Sequence, residues 1–151
     1  MRVMLAAGGG FLLAVLWFDL MFDVQALRAR PRHGPLPEPA LASIAGYYRR
    51  VTTDASPMGR LVAVAMLATL AAAVADLAIG ARPLAVRVAS LALLAAPISL
   101  ALARTFRNAV RLGARCDPPE RQSELARAIG RDHLLCLAGV LPFLALQLLS
   151  G

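Results

Sequence analysis

Residues 3–23 read VMLAAGGGFLLAVLWFDLMFD, and the rest of the chain is understood through them. Between positions 3 and 22 the one charged residue is Asp19. About 20 apolar residues rising 1.5 Å each cross the roughly 30 Å of a bilayer's hydrocarbon. The run lacks an A-x-A site and ends in Trp17-Phe18-Asp19, so it reads as a retained span and not a cleaved leader. Asp19 and Asp23, four residues apart, share one helix face. A carboxylate in hydrocarbon is costly, so Asp19 is either functional or held by a partner. Gly8, Gly9 and Gly10 weaken the helix but admit a close neighbour.

Three further apolar segments follow. Residues 60–80 are alanine-rich, with Ala68, Ala71, Ala72 and Ala75 offering small-residue packing pairs. Gly80-Ala81-Arg82-Pro83 is a tight turn, which makes the second and third spans an antiparallel hairpin. Residues 84–103 form the third span and contain Pro97. The fourth runs from about His133 to Ser150 and contains Pro142, in a helix opened by Asp117-Pro118-Pro119-Glu120. Each proline frees the carbonyl four residues back, Leu93 and Ala138. Both lie about nine residues from the same end of the bundle, so they are either structural kinks or the walls of a central cavity, with Ser99 and Gln147 nearby.

The composition agrees: 59% hydrophobic, 17% charged and a mean hydropathy of +0.66 over 151 residues, one domain's length. All 16 basic residues are arginine, for a net charge of +7. They flank the spans and form no stripe with aromatics, which points to topology and anionic lipid headgroups and away from nucleic acid. Arg28, Arg30, Arg32, Arg49, Arg50 and Arg60 fall in or beside one long loop; Arg104, Arg107, Arg111, Arg115, Arg121, Arg127 and Arg131 fall in the other. Arg2, Arg82 and Arg87 remain for the opposite side. The positive-inside rule then puts both long loops in the cytoplasm.

Within the first loop, Pro31, Pro35, Pro37 and Pro39 make an extended stretch around Arg32 and His33. Leu41, Ile44, Ala45, Tyr48 and Val51 then recur at helical spacing, a short amphipathic helix that either lies at the membrane surface with its tyrosines at headgroup level or offers the same face to a cytoplasmic partner. Asp54 or Ser56 would cap the second span, with Pro57 in its first turn. The fold expected is therefore all-α: a single integral membrane domain, a four-transmembrane-helix bundle, N-out/C-out. Its spans are about 3–22, 60–80, 84–103 and 133–150. Its cytoplasmic loops are about 23–59 and 104–132, the first with an interfacial helix. An all-arginine, alanine-rich, multi-pass chain suggests a bacterial inner (plasma) membrane.

This orientation gathers Asp19, Asp23, Arg104, Arg107, Asn108, Asp132 and His133 at the cytoplasmic end, with Cys136 a turn deeper and Asp54 and Arg60 approaching from the second helix. The cluster is either an ion-pair network that pins the helices or a site for a metal, protons or a headgroup. One histidine among scattered acids matches no metal-ligand spacing, and no cofactor motif is present. Asp19 and Asp23 are expected to pair with Arg104 or Arg107, because arginine's fork fits a carboxylate. Asp76 should pair with Arg82 or Arg87 near the opposite surface. Cys116 is expected as a free cytoplasmic thiol and Cys136 as a buried one.

The size, the four spans, Arg107-Asn108 and Arg131-Asp132-His133 resemble the anthrone-oxygenase-like family of small bacterial membrane proteins. That resemblance implies a membrane enzyme acting on a hydrophobic substrate, with His133 as base. Members often carry a tryptophan before such a histidine and an arginine after it, and this chain has neither. With no nucleophile elbow, P-loop or haem motif, the residues themselves favour a non-catalytic scaffold or accessory subunit, with a membrane-protein partner or a second copy. The alternative is a small ion-coupled transporter using Asp19, Asp23 and His133.

Overall fold

The computed structural model describes residues 1–30 and 34–149, Ser56 by its backbone alone. Pro31, Arg32 and His33 of the proline stretch, and Ser150, lie outside the described residues. Six α-helices follow one another: α1 (Arg2–Arg28), α2 (Glu38–Arg49), α3 (Ser56–Ile79), α4 (Leu84–Leu100), α5 (Phe106–Ala114) and α6 (Pro119–Leu149). There is no strand among the described residues. Four stretches, Arg2–Arg28, Pro57–Ile79, Leu84–Ala114 and Pro119–Leu149, are long and apolar enough to cross a membrane.

These four form a ring in which α1 touches α3 and α6, and α4 touches the same two. Consequently α1 and α4 stand diagonally, with no close backbone approach to each other among the described residues. Leu5, Leu12 and Leu16 of α1, Leu94 and Ile98 of α4, and Cys136, Val140 and Phe143 of α6 fill the shaft between them. The glycines set the closeness: a Cβ on Gly8 would collide with Thr69 Oγ1 of α3, and one on Gly9 would lie 2.9 Å from Phe143 Cε1. Gly10 meets nothing. On α3 the packed stripe is Thr69, Ala72, Ala73 and Asp76, while Ala68 and Ala71 face outward. The small-residue face is thus turned from the one the alanine spacing predicts, because Asp76 must reach Arg82.

Two π-turns punctuate the chain, Arg50–Asp54 after α2 and Ala101–Thr105 between α4 and α5. The second follows Pro97 closely and changes the rotation of what comes after it. Asp54 falls within the first, 3.4 Å from Arg49 Nε, so Ala55 and not Asp54 stands before α3. Pro97 is buried against α6, where Gly139 makes room for it: a Cβ there would lie 2.9 Å from the Leu93 carbonyl. Pro142 and Ser99 face outward, and Gln147 turns to Ser90 and Arg82. The matched prolines therefore do not bound a central chamber among the described residues. Pro97 lines a shallow apolar groove of about 280 Å³ outside α4 and α6, and Pro142 does not.

The amphipathic stripe on α2 is real, but its apolar side is covered by the chain itself. Leu41, Ile44, Ala45 and Tyr48 pack with Ala26 of α1, Ala109 and Leu112 of α5, and Leu125, Ala126 and Ile129 of α6. Gly113 lets α5 approach so closely that a Cβ would lie 2.7 Å from the Arg49 backbone nitrogen. Leu36, buried, donates its N–H to Ser123 Oγ at 2.8 Å and ties the linker to α6. Helix α2 is a lid across one end of the ring.

Candidate functional site

Beneath that lid the cluster foreseen from Asp19, Asp23 and His133 is assembled, with two tyrosines added. Adjacent residues on α2 donate to the two carboxylates one turn apart on α1. Tyr47 donates to Asp19 Oδ1 at 2.7 Å, and Tyr48 to Asp23 Oδ1 at 2.6 Å. From α6, His133 brings Nδ1 within 2.6 Å of Asp23 Oδ2 and Nε2 within 3.7 Å of Asp19 Oδ2. Its imidazole therefore stands between the two carboxylates, and Nδ1 also lies 3.5 Å from the Tyr48 hydroxyl. Asp23 is wholly buried, and short, charge-assisted bonds of this kind keep a buried carboxylate from being a large penalty.

Tyr47 stacks on Phe22 with ring centroids 4.1 Å apart, and Tyr48 packs edge-on to Tyr47 at 5.2 Å. Burial first, then the Asp23 and Asp19 charges, pushes the Tyr48 hydroxyl far above its ordinary pKa. Burial and then Asp19 do the same to Tyr47. Both therefore remain neutral donors at any physiological pH.

Arg104 is not the partner of Asp19 or Asp23. Its guanidinium forks onto Asp132 of α6, with Nε 3.0 Å from Oδ2, and Thr105 donates to the same Oδ2 at 3.1 Å. The ring order explains the difference: α4 borders α6 and not α1. The π-turn aims both Arg104 and Thr105 at α6, which neither residue spacing nor charge foretold. Arg107 turns back to the Ala103 carbonyl of the π-turn before α5, and Asn108 is half-buried one residue on. Arg60 makes no polar contact with the cluster. Cys136 donates weakly to the Pro97 carbonyl at 3.6 Å, sealing the shaft below His133.

Tyr47 and Tyr48 are the members of the cluster that the sequence places elsewhere, at headgroup level. The signal that would have found them is a pairing of spacings: two carboxylates on one helix face and two hydroxyls on the next element. Among the described residues no group of three or more His, Cys, Asp or Glu is arranged to hold a metal ion.

A second polar knot closes the other end. Arg82 meets Asp76 Oδ2 at 2.6 Å and Gln147 Oε1 at 2.9 Å, and Gln147 donates to Ser90 Oγ at 2.9 Å. Arg87 takes the Leu77 carbonyl at 2.8 Å, at the negative end of α3. Arg2 donates to the Gln147 carbonyl at 2.7 Å. Cys116 is exposed and Cys136 buried, and neither forms a disulfide.

Chemically, the lidded cluster can hold and share protons among Asp19, Asp23 and His133, and it ties α1 and α6 to the lid, with Asp132 joining α6 to the π-turn after α4. No protein-family model, curated protein or solved structure matches this chain.

Proposed function

We propose that this chain is a non-catalytic scaffold or accessory subunit of a bacterial inner membrane. In this reading both termini are outside, both arginine-rich loops are cytoplasmic among anionic headgroups, and α2 lies at the interface. One observation carries it. Each carboxylate of the cluster is already answered by a side chain from another helix, and the shaft beyond is filled by Leu12, Leu16, Ile98, Cys136 and Phe143. A network closed in this way supports helix locking more than turnover. Crosslinking in native membranes before detergent extraction should recover the chain in a complex larger than the monomer. Fusion after Gly151 should make alkaline phosphatase active, as exported carboxyl termini do.

The second reading, an ion-coupled transporter, is favoured by the imidazole placed between Asp19 and Asp23. Asp23→Asn separates the two. A scaffold should lose thermal stability and complex formation together. A vesicle proton flux that vanishes while stability and monomeric state persist would replace the first reading with the second. The oxygenase-like reading asks His133 to face a substrate, and both of its ring nitrogens face carboxylates instead.

A further inference from the structure

On the outer side of the α1–α6 seam, next to the lid, lies a groove of about 660 Å³. Its walls are Ala26, Leu27 and Ala29 at the end of α1; its floor is a row of charges on α6, Glu120, Glu124, Arg127 and Arg131. Their spacing of four, three and four residues puts them on one helix face, rising about 16 Å in all. The row is ordered. The arginines lie toward the apolar half of α6, the glutamates toward its water-side end. Arg127 is half-buried, and its Nη1 donates to the Gly34 carbonyl at 2.9 Å. Its Nε and Nη2 are shut from solvent without an acceptor among the described residues, an arrangement that costs free energy until an anion relieves it. Glu124 meets Arg121 at 2.7 Å, and Glu120 makes no ion pair among the described residues.

From this order we infer that the groove binds one zwitterionic phospholipid headgroup, a phosphoethanolamine. The inference rests on the chain being in a membrane. Reading outward from hydrocarbon, such a lipid presents acyl chains, then phosphate, then an ammonium with three N–H donors. The groove presents Leu27, then Arg131 and Arg127, then Glu124 and Glu120, so each group meets its complement. Arginine's fork suits the phosphate, with a small rotation of Arg127 bringing Nε and Nη2 to it. The carboxylates suit an ammonium that can donate, which a choline cannot. An anionic glycerol headgroup would bring no cation to the two glutamates.

The test is native mass spectrometry of the full chain in detergent with an equimolar mixture of phosphatidylethanolamine, phosphatidylglycerol and phosphatidylcholine of identical acyl chains. Wild type should retain phosphatidylethanolamine about tenfold over the other two, the scale of one charge-assisted contact. Arg127→Gln should lower that retention about tenfold. The pair Glu120→Gln and Glu124→Gln should reverse the preference toward phosphatidylglycerol, and Arg107→Gln should change nothing. If Arg127→Gln loses helicity, Arg131→Gln carries the same expectation. Equal retention of the three lipids, or an unaltered preference in the glutamate variant, overturns the assignment. So does thermal stabilisation by soluble phosphoethanolamine equal to that by the lipid. Release of the chain from membranes by alkaline carbonate would instead overturn the membrane reading itself.

Discussion

Replacing Tyr48 by Phe removes one oxygen and leaves the ring where it packs. That oxygen donates to Asp23 Oδ1 at 2.6 Å, and Asp23 has 0% exposure, so no water can take its place. Losing one hydrogen bond to a charged, buried group costs about 1.5–3 kcal/mol. For a chain of this length each kcal/mol lowers the melting temperature by about 2–4 °C, giving a fall of about 3–12 °C for Tyr48→Phe. Tyr47→Phe is the comparison. Asp19 keeps 15% of its side-chain surface exposed and can recruit water, so the cost should be about 0.5–1.5 kcal/mol. Thermal unfolding in one detergent, followed by helicity, reads both. In an Asp23→Asn background, where no charge remains to be answered, Tyr48→Phe should cost less than half of its wild-type value. Equal losses for the two tyrosines, or additivity with Asp23→Asn, would refute the idea that the lid is held through Asp23.

Four other outcomes follow from the geometry. The chain has only two tyrosines, and both have raised folded pKa values. Their stabilising contribution is complete below the unfolded value of about 10 and is lost as pH rises toward the folded values; tyrosinate absorbance should therefore stay flat past pH 10 and then appear together with loss of helix. Gly8→Ala drives a methyl into Thr69 and should cost about 1–3 kcal/mol, whereas Gly10→Ala, facing open space, should gain up to about 1 kcal/mol from helix propensity; melting temperatures check the pair. Arg104→Gln should destabilise the fold by leaving buried Asp132 with Thr105 alone, and Arg107→Gln should not, as unfolding midpoints would show. A maleimide should label Cys116 in the folded protein and reach Cys136 only after denaturation, as peptide mapping would report.

Four helices long and apolar enough to span a membrane were legible in the sequence because a bilayer demands length and apolarity, and residues 3–22 or 60–80 meet both without any partner. The stripe on α2 was legible for the same reason, since periodicity is local. What covers that stripe was not, because lipid and a protein interior present similar apolar surfaces to Leu41 and Ile44. Asp19, Asp23 and His133 stood out as charges in apolar surroundings, and the structure does bring them together. Their partners were another matter. Arg104 matched Asp19 in chemistry and depth, yet ring order decides which helices touch, and order resides in no single segment. Asp76 with Arg82 was readable because six residues and one turn connect them.

The lidded cluster also fixes an order in time. Ribosomes add about 5–20 residues per second, so Tyr48 is made about 1–5 s after Asp23, which precedes it by 25 positions. His133 comes 110 positions after Asp23, about 6–22 s later. In a membrane, the first span would pass that interval with two carboxylates and without His133. Of the partners seen in the folded cluster, the tyrosines of α2 are made first and His133 last. A nascent chain arrested before residue 133 should accordingly already protect Tyr48 from modification, and a Tyr47→Phe, Tyr48→Phe chain should be cleared by membrane proteases while still being made.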